Sequence, residues 1–361
     1  MAAIDFPSSP TTGQTFTSGG VTWIWDGVKW TTGAAAGPSM PVAMNDNRII
    51  NGDMRIDQRG VASGAGGTAG GYTVDRWIYV ASQSGKGTWQ RNTGPVGTSG
   101  FQYSLGFVSS SAYALAAGDY FSHQQYFEAD VISDFQWGTA NAQPVTLSFW
   151  AYSSLSGAFG GALQNAANNR SYPFSFSLTA STWTKIAITI PGDTAGTWVL
   201  SGNAKGLALS FSLGTGTTYS GPANAWAGAN YAAPTGAVSV ISTNGATFYV
   251  TGVKLEVGSV ATPYNRQSLA KSMADCQRYY QTNLAGVSGN GVASQPFGVA
   301  QSLAGAMRAT PTIVYGAGSS GNTSGAPAAN GGNVGYVWTV MTAVAAGYAW
   351  FSVPWAASAE L

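Results

Sequence analysis

The side chains that usually carry out catalysis are scarce in this sequence. Hydrolysis of a glycosidic bond requires two carboxyl groups that converge on that bond. Asp193 is the only acidic residue between Phe135 and Leu255, and none lies between Cys276 and Ala359. Because the other acids mostly occupy turns or strand ends, where they commonly cap the backbone, we predict that the chain is not an enzyme. These other candidates are Asp46, Asp53, Asp57, Asp75, Asp119, Glu128, Asp130, Asp134 and Glu256.

His123 is the only histidine and Cys276 the only cysteine. A Ser-His-Asp triad therefore has one candidate base at most, while an intrachain disulfide and a multi-cysteine metal site are excluded. Since His123 lies in the strand-like run 120–127, we interpret it as a hydrogen-bonded strand residue.

Asp53 and Glu256 offer carboxylate oxygens, which Ca²⁺ prefers. If the first and last strands of the fold are adjacent, the two side chains can meet and hold a structural calcium ion. The alternative, which we favour, is turn capping by Asp53 and an exposed strand carboxylate at Glu256.

Aromatic residues give a stronger functional signal, because sugars stack their apolar faces on such rings. The chain has 13 Trp and 17 Tyr. Trp226 and Tyr231 lie in the loop-like segment 221–231, which has no strand alternation, and Trp137 and Trp89 are comparable. We predict these four residues as glycan-binding candidates; packing and oligomer contact are the alternatives.

The composition restricts the partners. Only 8% of the residues are charged, the net charge is +1, and no run of basic residues occurs. Nucleic acid binding requires clustered cations, so nucleic acid is not expected as a partner. No segment has about 18 consecutive apolar residues, so we do not expect the chain to insert into a membrane. The N-terminus lacks the basic region followed by an apolar region that is typical of a secretory signal peptide, so we do not expect secretion through the Sec pathway.

Short runs with alternating apolar and polar residues recur along the chain, separated by Gly, Pro, Asn and Ser. Eight or more such strands without intervening helices favour a β-sandwich or jelly roll. We predict an all-β protein with a jelly-roll β-sandwich over residues 45–264. The runs that indicate strands are 76–80, 102–105, 120–127, 145–152, 174–178, 184–190, 207–213 and 247–256.

The spacing of the apolar residues changes once from the strand period of two to a helical period. The residues with helical spacing are Leu269, Met273, Cys276 and Tyr280. We predict one connecting α-helix within residues 265–284, which either docks on the sandwich or forms a short oligomer seam. Residues 285–361 return to strand patterns and are expected to form a small β domain, with 316–335 as a long surface loop.

Residues 1–33 form a separate unit at the other end of the chain. Turn signals at Gly19-Gly20 and Asp26-Gly27 divide it into three short strands, which predicts a β-meander with Trp23 and Trp25 on one face. Residues 34–44 are uncharged and rich in small residues, as in a linker. The meander either packs on its own domain or serves as an attachment module.

Several stretches, in this order, resemble segments of bacteriophage tail-fibre-type virion proteins. An attachment module of fibre and virion proteins is resembled by residues 6–16 and 20–30. The ends of a carbohydrate-binding-module-like jelly roll are resembled by residues 51–60, 72–77 and 249–264. The segments that follow that jelly roll are resembled by residues 276–280 and 307–311.

The resemblance implies a virion component, commonly a homotrimer, that is assembled in the bacterial host cytoplasm. It implies anchoring to other virion proteins through residues 1–33, and the jelly roll is expected to contact host surface polysaccharide. A capsid head fibre or decoration protein is the alternative, and a glycan depolymerase is a further one. The attachment candidates are Phe6, Phe16, Trp23, Trp25 and Trp30.

Overall fold

A computed structural model describes residues 5–18, 21–25, 27–32, 47–60, 64–65 and 71–361. The chain forms two compact units, Met1–Asp46 and Asn47–Leu361. The first contains an antiparallel three-stranded sheet, β1 (Thr15–Ser18), β2 (Val21–Trp25) and β3 (Trp30–Thr32). The predicted meander is therefore present. The predicted turn residues 19, 20 and 26 and the linker 34–44 lie outside the described residues.

The second unit begins with a sandwich whose strands and short helices alternate with turns, as the sequence predicts. The strands are β4 (Gly64–Ala65), β5 (Gly71–Tyr72), β6 (Ile78–Ala81), β7 (Gly87–Thr93), β8 (Tyr103–Ser109), β9 (Tyr120–Glu128), β10 (Val145–Ser153), β11 (Gly157–Asn165), β12 (Ser171–Leu178), β13 (Thr184–Ile190), β14 (Lys205–Thr215), β15 (Ser220–Gly221), β16 (Ala233–Pro234) and β17 (Thr247–Val257). The helical turns are α1 (Val96–Ser99) and three 3₁₀ segments, Ala129–Phe135, Thr217–Tyr219 and Val240–Ser242.

Two six-stranded sheets face each other. Sheet I has the order β13-β10-β17-β8-β7-β4, and sheet II has the order β12-β11-β14-β9-β6-β5. Alternating residues of each strand point between the sheets, where Phe149 of sheet I and Phe211 of sheet II pack with ring centroids 4.9 Å apart. The predicted all-β sandwich is confirmed. The residues that alternate with the core residues face outward, where they can contribute to sites on the surface.

The helix that follows is shorter than predicted. It runs from Leu269 to Gln277 (α2), and the side chain of Ser268 caps its N-terminus. Its buried face consists of Ser272 and Cys276, whereas Leu269 is 57% exposed. It lies within the predicted segment 265–284 but fills only part of it, because Tyr280 already pairs with Ser358 in the next sheet.

The C-terminal residues form two further sheets around a core of their own. The strands are β18 (Tyr280–Gly291), β19 (Pro296–Ser302), β20 (Thr312–Tyr315), β21 (Ser319–Gly321), β22 (Thr323–Asn333), β23 (Tyr336–Ala343) and β24 (Gly347–Ser358). The orders are β18-β24-β20, with β21 also on β24, and β19-β23-β22. The predicted loop 316–335 is wrong, since most of it pairs with β23 and β24 through backbone hydrogen bonds that small residues can make.

A buried ionic cluster joins the sandwich to the C-terminal sheets. Arg76 is 2% exposed, donates to the carboxylate of Glu360, and lies with its guanidinium 3.5 Å from the centroid of the Tyr279 ring. Next to this pair in the cluster, Glu128 accepts two hydrogen bonds from Arg278, at 2.7 and 2.6 Å, and one from the Tyr279 hydroxyl. Arg76, Glu360 and Glu128 are buried and have their charges compensated, while Arg278 reaches the surface.

His123 is fully buried between the sheets, beside the rings of Tyr79 and Phe107. The predicted strand position is confirmed, but the predicted hydrogen bond is wrong. Neither ring nitrogen has a hydrogen-bond partner among the described residues. Burial lowers the pKa of His123 from 6.5 to about 3, because the charged ring would lose its hydration.

Among the described residues, no helix is long and apolar enough to cross a membrane.

Replacement of Glu360 by Gln should lower the free energy of unfolding by about 3–5 kcal/mol, because the buried Arg76 then lacks a counter-charge. Urea denaturation measures this loss. Asp275→Asn is the control, because Asp275 pairs with the half-exposed Lys271, and should cost about 1 kcal/mol or less. Equal losses in the two variants would contradict the role given to Glu360.

The stability of the protein should depend on pH through its single histidine. Below pH 6.5 the unfolded chain binds a proton at His123 that the folded chain excludes until about pH 3. This histidine therefore costs about 1.4 kcal/mol of stability for each pH unit of acidification within that window. His123→Phe should remove this contribution, so the difference in free energy of unfolding between the variant and the wild type should itself change by about 1.4 kcal/mol for each pH unit within that window. An NMR titration showing an imidazole pKa near its ordinary value would disprove the prediction.

Candidate functional site

The outer face of sheet II carries a cleft. It is formed by the outward-facing side chains of three neighbouring strands, β9, β14 and β11, in which inward-facing and outward-facing residues alternate. In β9, Phe121, His123 and Phe127 point inward, so Gln124 and Tyr126 point outward. β14 lies beside β9 and places the small residues Ala208 and Ser210 opposite Tyr126 and Gln124. On its other side, Gln164 of β11 pairs with Ala208. Small residues between longer ones leave a cleft of about 210 Å³, the tyrosine–amide cleft.

The tyrosine–amide cleft combines aromatic rings with carboxamides and one cation. Its lining includes Tyr120, Tyr126, Tyr219, Gln124, Gln164, Asn168, Asn230 and Lys205. No carboxylate is among its lining residues. The two-carboxylate chemistry of glycoside hydrolysis therefore has no candidates within it.

Contacts within the cleft hold its side chains in place. Gln164 Nε2 donates to Asn230 Oδ1 at 2.7 Å, and Lys205 Nζ donates to Asn168 Oδ1 at 3.3 Å. Lys205 Nζ also lies 4.7 Å from the centroid of the Tyr126 ring. Each amide uses only part of its hydrogen-bonding capacity in these contacts, so the cleft can still bind the hydroxyl groups of a ligand.

Partial burial changes the ionisation of two groups in the cleft. Desolvation raises the pKa of Tyr126 and lowers that of Lys205. The Tyr126 phenol therefore stays neutral at physiological pH and can stack as an uncharged ring.

The predicted glycan-binding aromatics lie elsewhere. Trp137 is 1% exposed and Trp89 is 6% exposed, so neither offers a ring face to a sugar. Trp226 packs against Trp137 and Trp198 with ring centroids 5.0 and 5.6 Å away, and its indole donates to the carbonyl of Pro191. Trp226 is therefore a half-buried member of an aromatic cluster.

Tyr231 is half-buried, and its ring packs closely against the backbone of Gly221, where a Cβ atom would clash with the ring. The same loop contributes Asn230 to the tyrosine–amide cleft. The predicted loop therefore contributes one residue to this cleft, although Tyr231 is not among the residues that line it. The missed signal was the alternation of β9, which places Tyr120, Gln124 and Tyr126 on one face.

Asp46 lies outside the described residues, and the other carboxylates considered from the sequence have partners within the protein. Asp193 is 2% exposed, binds Arg170 through two nitrogens and accepts from the Trp198 indole at 3.0 Å. This contact supports the aromatic cluster around Trp226.

The calcium candidates each meet a basic residue. Asp53 Oδ2 lies 2.6 Å from Arg55 Nε, and Glu256 Oε2 lies 2.9 Å from the buried Lys254 Nζ. Glu256 is 3% exposed, so the predicted exposed carboxylate is also wrong. No group of three or more His, Cys, Asp or Glu residues that could hold a metal occurs in the described part of the chain.

The five attachment candidates form one aromatic cluster in the N-terminal unit. The Phe6 ring lies 5.4 Å from Phe16, 5.1 Å from Trp23 and 5.3 Å from Trp30, and Trp25 lies 5.7 Å from Trp30. All five remain partly exposed. They stabilise the small sheet and still present ring edges to solvent.

Part of the chain is similar to several solved structures. It matches the enzymatically active domain of tailspike protein 4 of bacteriophage CBA120 with 11% identity and a TM-score of 0.33, over 59% of this chain and 22% of that chain. This chain thus spans about a fifth of that tailspike domain. No family model matches the sequence. No curated protein matches it either.

Carbohydrate-binding modules are also among the similar structures. A family 11 module from Clostridium thermocellum, in complex with a mixed-linked tetrasaccharide, matches with 10% identity and a TM-score of 0.28, over 55% of this chain and 98% of that one. The CBM22-1 and GH10 modules of xylanase 10B from the same organism match with 8% identity and a TM-score of 0.28, over 54% and 28% of the two chains. Such distant matches do not assign a ligand.

Proposed function

We propose that this protein is a structural subunit of a phage fibre that binds host surface glycans through the tyrosine–amide cleft. The cleft itself is the observation that carries the binding proposal. Tyr126 supplies a neutral ring for stacking, while Gln164 and Asn230 supply amide groups for sugar hydroxyls. Because the cleft lining lacks carboxylates, the bound glycan is retained rather than hydrolysed.

The attachment to a virion rests on the sequence resemblance described above, and the separate N-terminal unit supports it. Its partly exposed aromatic cluster of Phe6, Phe16, Trp23, Trp25 and Trp30 suits a module that docks on another virion protein. In the sequence, residues 34–44 separate this module from the jelly roll, as expected for a subunit with an anchoring end and a binding domain.

The outer face of the C-terminal sheet β18-β24-β20 supports self-association. Residues 280–358 contain a single charged residue, Arg308. Tyr348 is 64% exposed, Val314 61% and Leu284 54%. Protein interfaces are depleted in charge and enriched in aromatic residues, so this face suits contacts between three copies of the chain.

A glycan array probed with the purified protein tests the binding proposal. Tyr126→Ala should weaken binding about tenfold, because it removes the stacking ring, and Asn230→Ala should also weaken it. Tyr126→Phe, which keeps the ring, should retain most of the affinity. Tyr336→Ala removes an exposed tyrosine of β23 that belongs neither to the cleft nor to the β18-β24-β20 face, and it is the control. Absence of binding by the wild-type protein would leave an architectural role.

Cryo-EM of the intact particle tests the fibre proposal. We expect density for three copies of the chain in a fibre, and particles carrying a chain without residues 1–33 should lack that density. Density distributed over the capsid surface would instead identify a head fibre or decoration protein.

A further inference from the structure

A second cleft, of about 260 Å³, lies on the outer face of sheet I. Its lining includes the half-buried ring of Trp150, the cations Lys185 and Arg266, and the hydroxyl-bearing residues Tyr264 and Ser148. We call it the cationic cleft. It faces away from the tyrosine–amide cleft, because the two belong to opposite sheets of the sandwich.

A β-bulge builds the wall of the cationic cleft. Trp150 pairs with Lys185 on β13 and with Thr251 on β17, where the register shifts beside Gly252. Gly252 has a φ of 61°, and a Cβ at this position would lie 2.6 Å from the ring of Phe101. Glycine therefore permits both the bulge and the close approach of Phe101.

Phe101 in turn positions Arg266. The guanidinium carbon lies 4.6 Å from the centroid of the Phe101 ring, and Arg266 Nη2 donates to the carbonyl of Gly100 at 2.6 Å. The Tyr264 ring packs edge-on against Phe101 with centroids 5.0 Å apart. The arginine is held at the cleft by these contacts and not by an acidic partner.

The positive charges of Lys185 and Arg266 are not balanced by any acidic residue in the lining of the cationic cleft. Lys185 and Arg266 are both exposed, and neither forms an ion pair with any described carboxylate. No acidic residue lines the cleft. In a chain with 8% charged residues, two cations beside one accessible tryptophan make a local site for a negative group.

We propose that the cationic cleft binds an anionic saccharide, a sugar that carries a carboxylate. Trp150 stacks on the pyranose ring, and Arg266 and Lys185 bind the carboxylate with charge-assisted hydrogen bonds. Two cations are too few for a nucleic acid backbone, which is bound by many phosphate contacts. The site is independent of the proposed glycan binding at the tyrosine–amide cleft.

Isothermal titration calorimetry of the full chain with trigalacturonate, and with its fully methyl-esterified form, tests the proposal. The acid should bind about tenfold or more tightly than the ester, and added salt should weaken binding of the acid. Lys185→Gln and Arg266→Gln should each weaken binding about fivefold or more. Lys185 is exposed on a strand and its replacement should leave the fold intact, even if Arg266→Gln disturbs Phe101.

Lys271→Gln is the charge-matched control, because it removes a cation outside the cleft, and it should leave trigalacturonate binding unchanged. Tyr126→Ala should also leave it unchanged, which separates this site from the tyrosine–amide cleft. Equal binding of the acid and the ester, or unchanged binding by Lys185→Gln, would overturn the proposal. Equally tight binding of hexaglutamate would overturn it too, since the cleft would then not select a saccharide.

Discussion

The ion pair between Arg76 and Glu360 is the contact on which the arrangement of the second unit depends. A fully buried guanidinium is strongly unfavourable unless a counter-charge and hydrogen bonds replace its hydration. Here Glu360 supplies the charge and the Tyr279 ring covers the guanidinium face. Arg76 has a φ of 70°, a left-handed conformation that costs a non-glycine residue about 1–3 kcal/mol. The surrounding contacts offset this cost.

The same arginine connects the C-terminal sheets to the face of the sandwich that carries the tyrosine–amide cleft. Arg76 Nη2 donates at 2.6 Å to the carbonyl of Tyr126, whose ring lines the tyrosine–amide cleft. Two residues further along β9, Glu128 binds Arg278 and Tyr279. The strand that presents the cleft is thus fixed at its end by the C-terminal part of the chain.

Both clefts arise because a strand can serve a core and a surface at once. In β9 and β10, inward positions are mostly aromatic or aliphatic, while outward positions carry Tyr126, Gln124 and Trp150. Outward residues that are small, such as Ala208 and Ser210, set the depth of the tyrosine–amide cleft. Gly252 allows the bulge of the cationic cleft. In a chain with so few charged residues, the two clefts are lined mainly by aromatic rings, amides and hydroxyl groups, with one cation in the first and two in the second.

The sequence by itself determined the fold class, most strands of the sandwich and the scarcity of catalytic groups, because alternation and composition are local properties. It did not determine that α2 ends at Gln277 or that 316–335 pairs as strands, since partners distant in the chain decide both. Nor could it place Trp226, an aromatic in a loop that packs into a cluster held by Asp193 and Trp198. Only the tertiary structure brings Tyr126, Gln164 and Asn230 together, because three separate segments meet there and their side chains depend on the register of the sheet.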